Sequence, residues 1–317
     1  MATDSSLEKK TTIYQDILIQ LDVFDKVISG FLFRLSLPPI VEAIYSVPAN
    51  FFGLVPSLAI GPLWVALLAL EDDSSADELQ HGKILLLKGI TLSLTTAFLV
   101  AWALFQNGSM PLTKILARKH FYLVAIFFNI TLLSYTLLSP PSEGPYAAVS
   151  IKAFSHAIYL LFLWPPSILV IVILKEFSQR PRPIVLDKAR DNDERWLANK
   201  SFPSICHFLA KAQANESFPS GDATSATIVA IVLIEINDKY TTPAICLWAL
   251  ACTGRIYFLA HHVLDVLVGS MLAGVLHKMA FSMGLGIYDM VWWHPLASTT
   301  FLAIYVQTIM KNKQKIA

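Results

Sequence analysis

Charge is what this chain has least of. Only 15% of its 317 residues are Asp, Glu, Lys or Arg, against about 25% in an average soluble domain. The signs nearly cancel, 24 basic against 23 acidic, and no nucleic-acid partner is expected. Cysteine is as scarce: Cys206, Cys246 and Cys252 show no metal-ligand spacing and imply no disulfide framework, and two of them lie in apolar segments where they are expected to pack. There is no internal repeat and no low-complexity tract. Residues 1–30 contain no short apolar run ending in small residues, so no cleavable signal peptide is expected.

What is present in quantity is hydrocarbon, 55% of the residues. Eight segments reach or approach the roughly 20 apolar residues that a bilayer-crossing helix needs: about 51–70, 84–106, 121–138, 152–174, 219–237, 241–259, 263–283 and 290–310. Pro56 and Pro62 interrupt the first, and the third is short. The expected fold class is all-α: a polytopic helical membrane protein with about eight spans. Ahead of them, "QDILIQLDVFDKVISGFLFRLSL" at 15–37 mixes charged and apolar residues at helical spacing, the pattern of an amphipathic helix lying at the membrane interface.

Alternating the spans puts the N-terminus, the loops 107–120 and 175–217 and the C-terminus on one face, which then carries most of the basic residues. The other face holds the acidic loop "EDDSSADE" at 71–78. By the positive-inside rule the basic face is cytosolic. The terminal "KQKIA" resembles the Lys-x-Lys-x-x signal on cytosolic tails of endoplasmic reticulum membrane proteins, which makes that membrane the expected location.

Three polar clusters interrupt the apolar pattern. "KEFSQRPRP" at 175–183 follows the fourth segment, "SFPSGD" opens the fifth, and "GRIYFLAHHVLD" at 254–265 joins the sixth to the seventh. Two antiparallel crossings separate the second cluster from the third, so all three reach one membrane face. A transporter is disfavoured because its site usually lies at the midplane. Lys175, Arg182 and Arg255 supply three cations, and the N–H groups of Ser220 and Gly221 at a helix N-terminus add donors, so an anion is the expected guest. His261 and Asp265, four apart, are expected to share a helix face, with the carboxylate holding the imidazole N–H and making its other nitrogen a nucleophile. Singly, these residues read as topology-setting charges, an N-cap and an interfacial histidine. Their joint spacing carries the chemistry.

That joint pattern resembles the type 2 phosphatidic acid phosphatase (PAP2) superfamily, the membrane lipid phosphatases related to vanadium haloperoxidases. Its signature is Lys-x6-Arg-Pro, then Pro-Ser-Gly-His, then Ser-Arg-x5-His-x3-Asp. The match runs through Lys175, Arg182 and Pro183, then Pro219, Ser220 and Gly221, then Arg255, His261 and Asp265. "HHVLDVLVG" is most similar to the branch that includes polyisoprenoid diphosphate phosphatases. The resemblance implies a six-helix core with additional helices: an N-terminal polar segment at 1–39, a catalytic domain at 40–283 with an insertion near 107–150, and an extra helix and basic tail at 284–317. It also implies that Lys175, Arg182, Ser220, Gly221 and Arg255 bind phosphate, that His261 attacks phosphorus to give a phosphohistidine, and that Asp265 orients it. No metal and no cofactor is expected, and the partners are membrane lipids and a lipid phosphate or diphosphate substrate.

Two positions depart from the signature. Gly254 stands where the family has serine. Asp222 replaces the histidine that protonates the leaving group, and a carboxylate beside a phosphoryl oxygen repels it by about 4 kcal/mol at 4 Å and an effective dielectric of 20. Three outcomes follow: Asp222 serves as the acid, the substrate is a diphosphate needing less protonation, or the protein is a pseudophosphatase that binds phospholipid or phosphate in a regulatory or scaffold role. A phosphotransferase using the same phosphohistidine is a variant of the first two.

Overall fold

The computed structural model describes residues 20–51, 146–187, 196–201 and 216–289, with isolated helical positions between 62 and 69 and at 294, 297 and 300. The described residues form helices: α1 (20–34), α2 (Pro39–Phe51), α3 (Tyr146–Ser178), α4 (Pro183–Asp187), α5 (Gly221–Ile236), α6 (Thr241–Tyr257) and α7 (Val263–Ser282). Short 3₁₀ turns lie at Trp196–Asn199, Asp238–Tyr240 and Ile287–Asp289. Strand pairing among the described residues is limited to a single bridge between Pro181 and Glu216, in agreement with an all-α class.

Among the described residues, two helical stretches are long and apolar enough to cross a membrane, Ser155–Ser178 and Val263–Ser282. The expected segments 219–237 and 241–259 correspond to α5 and α6, which are shorter, at 16 and 17 residues. The expected segments 84–106 and 121–138 lie outside the described residues, 51–70 is described only at residue 51 and at isolated positions from 62 to 69, and 290–310 only at 294, 297 and 300. The amphipathic segment expected over 15–37 is helical over 20–34.

Helix α5 is the centre of the bundle and packs against α3, α6 and α7. Ala226, Val229, Ala230 and Leu233 of α5, Ala273 of α7 and Ile158, Leu160 and Leu163 of α3 are buried in one cluster. Small residues at the crossings let the helix backbones come close. Gly269 shows how close: a Cβ there would sit 2.3 Å from the Ser220 carbonyl oxygen. Thr224 Oγ1 seals the same crossing by donating to the Gly269 carbonyl at 2.8 Å. This pins the start of α5 to the first half of α7.

Helix α2 lies on α6. Gly254 permits that approach, because a Cβ on it would meet Ala49 Cβ at 2.9 Å and the Tyr45 carbonyl oxygen at 3.1 Å. The Tyr257 hydroxyl bonds the Glu42 carboxylate and accepts from the Leu37 N–H at 3.2 Å. Lys200 stands over the Tyr257 ring, 3.4 Å from its centroid, and donates to the Leu35 carbonyl at 2.6 Å.

Candidate active site

The polar clusters meet at one end of this bundle, where α3 and α6 finish and α5 and α7 begin. Ser220 caps α5, its hydroxyl accepting from the Ala223 N–H at 3.2 Å. The Ser220 N–H, expected to be a phosphate donor, instead donates to the Asp265 carbonyl at 2.9 Å. That bond lies beside the Gly269 crossing, and it leaves the Ser220 N–H engaged within the protein. On the next element, the chain after α6 turns sharply. Leu259 is held at φ 60°, a left-handed conformation that non-glycine residues seldom adopt. The N–H groups of Ala260 and His261 then both donate to the Arg255 carbonyl, at 3.1 and 3.3 Å.

The segment before α4 laces onto this turn. Arg182, 2% exposed, donates to the Ala260 carbonyl at 2.9 Å, and its Nη1 lies 3.5 Å from His261 Nε2. Ile184 N–H donates to the Leu259 carbonyl at 3.1 Å, and Ser217 N–H to the Arg180 carbonyl at 2.7 Å. Lys175 Nζ donates to the Glu216 carbonyl at 2.7 Å and is close enough to act electrostatically on Arg182, Asp222 and Asp265.

His261 is fully enclosed, and its tautomer follows from its neighbours. Nδ1 lies 2.8 Å from the Ser217 carbonyl oxygen, which can only accept, so Nδ1 carries the proton. Nε2 faces a guanidinium, which can only donate. The lone pair therefore sits on Nε2. Burial and then the charge of Arg182 push the His261 pKa below the ordinary imidazole value, against the opposing pull of Asp222 and Asp265.

The His261–Asp265 pair differs from the expected arrangement. His261 precedes α7 instead of lying on it, with His262 as the N-cap and Asp265 at the third helical position, accepting from the His262 N–H at 2.8 Å. Asp265 Oδ2 lies 3.7 Å from His261 Nδ1 and 3.3 Å from His262 Nδ1. The direct partner of His261 Nδ1 is thus the Ser217 carbonyl. "HHVLD" contains a capping pattern, His-x-x-Asp at a helix start, and that was the signal available for this local fold.

Asp222, on the first turn of α5, forms a buried ion pair with Arg255 Nη2. Its carboxylate also lies 3.8 Å from His261 Nε2. Arg255 Nη1 donates to the Ala49 carbonyl at 3.4 Å, so α2 shares in holding this guanidinium. Both departures from the signature are therefore joined: Gly254 admits α2 beside Arg255, and Asp222 neutralises that arginine.

Arg180 lies inside the "KEFSQRPRP" cluster but holds no position of the signature. The structure gives it three carboxylate contacts: Asp265 at 2.6 Å, Asp25 at 2.6 Å and Asp22 at 2.8 Å. Burial opposes its charge, but Asp265 and Asp25 outweigh that and hold its pKa above the ordinary value. Asp25, His262 and Asp265 each place a ligand atom within 4.8 Å of the others, a grouping of metal-ligand type among the described residues. The Arg180 guanidinium bonds both carboxylates of that grouping, so a cation already stands between them.

Residues 154–287 match the model of the PAP2 superfamily. That segment is similar to a PAP2 superfamily domain, a family whose members are generally phosphatases. No curated protein and no solved structure matches the chain.

Proposed function

We propose that this protein is an integral membrane phosphatase that removes a phosphoryl group from a lipid phosphate or diphosphate through a phosphohistidine on His261. The observation that carries this reading is the state of the imidazole: Nδ1 is anchored on the Ser217 carbonyl and Nε2 bears its lone pair beside Arg182 and Arg255–Asp222. A buried histidine with one fixed nitrogen and one free lone pair among guanidinium groups is built to attack an electrophile that carries negative charge. Arg255 adds a second support. Its buried Nε–H has no acceptor among the described residues, and a phosphoryl oxygen is an acceptor that would satisfy it.

In the reaction, the Nε2 lone pair attacks phosphorus while the bond from phosphorus to the leaving oxygen breaks. The leaving oxygen takes up a proton, from Asp222 or from water. Water then attacks the phosphohistidine, the phosphorus–nitrogen bond breaks, and inorganic phosphate leaves with His261 restored. Pairing with Arg255 keeps Asp222 ionised until an anion takes over that arginine. Proton help to the leaving group is therefore limited, which favours a diphosphate, whose departing phosphate is a far better leaving group than an alkoxide. Eight spans, a cytosolic site and an endoplasmic reticulum location complete the reading and rest on composition, charge distribution and the "KQKIA" tail.

The test is phosphate release by the purified full chain from a panel of lipid monophosphates and diphosphates, with His261→Ala as control. Release abolished by His261→Ala supports the reading. No release from any lipid, with vanadate still bound, would make the protein a binding pseudophosphatase.

A further inference from the structure

Helix α1 has two faces with opposite characters. Val23, Phe24, Val27 and Phe31 are exposed to between 56% and 68%, whereas Asp25, Ser29 and Phe33 are 5%, 0% and 1% exposed. The buried face does not simply fill a groove. It meets the start of α7, where the first N–H groups of the helix have no partner within their own helix. The N-cap there is His262, and Asp265 closes back onto its N–H at 2.8 Å, which leaves the N–H groups of Val263 and Leu264 to be met. The missing acceptors come from α1: Val263 N–H donates to Ser29 Oγ at 3.0 Å, and Leu264 N–H donates to Asp25 Oδ1 at 2.9 Å. Ser29 Oγ in turn donates to Asp25 Oδ1 at 3.2 Å. The other oxygen of Asp25 receives Arg180, and the other arm of that guanidinium holds Asp265. Phe33 closes the arrangement edge-on against the His262 ring, centroids 5.9 Å apart.

We infer that α1 is a positioning element for the reaction: Asp25, acting through Arg180, sets Asp265 and the start of α7, and thereby the orientation and charge environment of His261. This rests on the reading of His261 as nucleophile, and no group of α1 touches the phosphoryl site. A carboxylate buried beside Nδ1 of His261 with no counterion would draw a proton onto the imidazole and consume the lone pair. Arg180 cancels that charge, and Asp25 with Asp22 keeps Arg180 in place. The charged groups facing His261 are Arg182 ahead of α4, Asp222 on α5, Arg255 on α6 and Asp265 on α7, and of these only Asp265 is under the control of α1.

The experiment uses the full chain in detergent, with Arg180→Gln, Arg180→Lys, Asp25→Asn and Ser29→Ala. Histidine labelled with ¹³C at Cε1 reports the His261 titration, assigned with His261→Gln, independently of turnover. Arg180→Gln is expected to move the His261 midpoint upward by about one pH unit, because an uncompensated Asp265 stabilises the imidazolium, and Asp25→Asn to move it downward, because Arg180 then meets Asp265 with one competing carboxylate fewer. They are also expected to lower kcat about 10–100-fold at nearly constant KM, as misplacement of a reacting group does. Arg180→Lys should recover part of both effects. Ser29→Ala removes only a cap, so it should lower the melting temperature and leave the titration where it is. If Arg180→Gln and Asp25→Asn fold and bind vanadate with an unmoved His261 midpoint, α1 is a structural cap only and the inference is wrong. If the midpoint moves while the wild type releases no phosphate from any lipid, the positioning role stands and the phosphatase reading is the part that fails.

Discussion

The residue at which this chain departs furthest from its signature is also one of the most tightly held. Asp222 is paired with Arg255 inside the protein, so replacing it by asparagine leaves a buried guanidinium without its counterion. Breaking such a pair costs about 3–5 kcal/mol. Asp222→Asn is therefore expected to lower the melting temperature and to bind vanadate at least about tenfold tighter, since the anion then meets Arg255 with no competing carboxylate. Equal vanadate affinity in the two forms would show that Asp222 does not face the anion. His261 makes a second prediction. Its pKa lies below the ordinary imidazole value, so the neutral form persists as pH falls through the usual range. The acid limb of kcat/KM, which reports the free enzyme, should lie below pH about 6.5 and move upward in Arg182→Gln. A limb at or above the ordinary value would contradict the enclosed, cation-flanked imidazole.

At the scale of elements, the close approaches of helices decide what substitutions the site tolerates. Gly254→Ser would restore the serine of the signature, yet its Cβ would stand 2.9 Å from Ala49 Cβ. The expected outcome is a loss of about 1–3 kcal/mol from overpacking and no gain in turnover, with Ala49→Gly recovering the melting temperature. A stable, faster Gly254→Ser variant would mean that α2 yields easily. Much of this level was legible in the sequence. α5, α6 and α7 fall within a few residues of their expected ranges, because each is a long apolar run bounded by Ser220, by Asn237 or by the His262–Asp265 pair. What was not legible has a physical cause too. Four-residue spacing puts His261 and Asp265 on one face only if both lie on the helix, and the left-handed turn at Leu259 leaves His261 outside it. Ser217 acts through its carbonyl, which every residue has, so nothing in its identity marks it. Arg180 finds Asp25 across 155 positions of sequence, a separation at which no local pattern can connect two residues.

For the whole molecule, the cytosolic orientation proposed for the site has a simple test. Asn107, Asn199 and Asn215 each begin an acceptor pattern for glycosylation, and all lie on the face assigned to the cytosol. The chain expressed in a eukaryotic cell should show no glycosidase-sensitive mass shift at these positions. A shift at any of them would place the site in the lumen. Because side chains supply the cations of the candidate site, activity should also survive EDTA, and loss that magnesium restores would count against the assignment.

The bond from Leu264 to Asp25 spans 239 positions, which sets an order of events during synthesis. At about 5–20 residues per second, α1 leaves the ribosome roughly 10–50 s before the amides it caps exist. Through that interval Asp25 and Ser29 lack the Val263 and Leu264 amides that they hold in the folded protein. A nascent chain halted before residue 263 would therefore carry Lys175, Arg182, Arg255 and His261 and still lack the helix start that α1 holds.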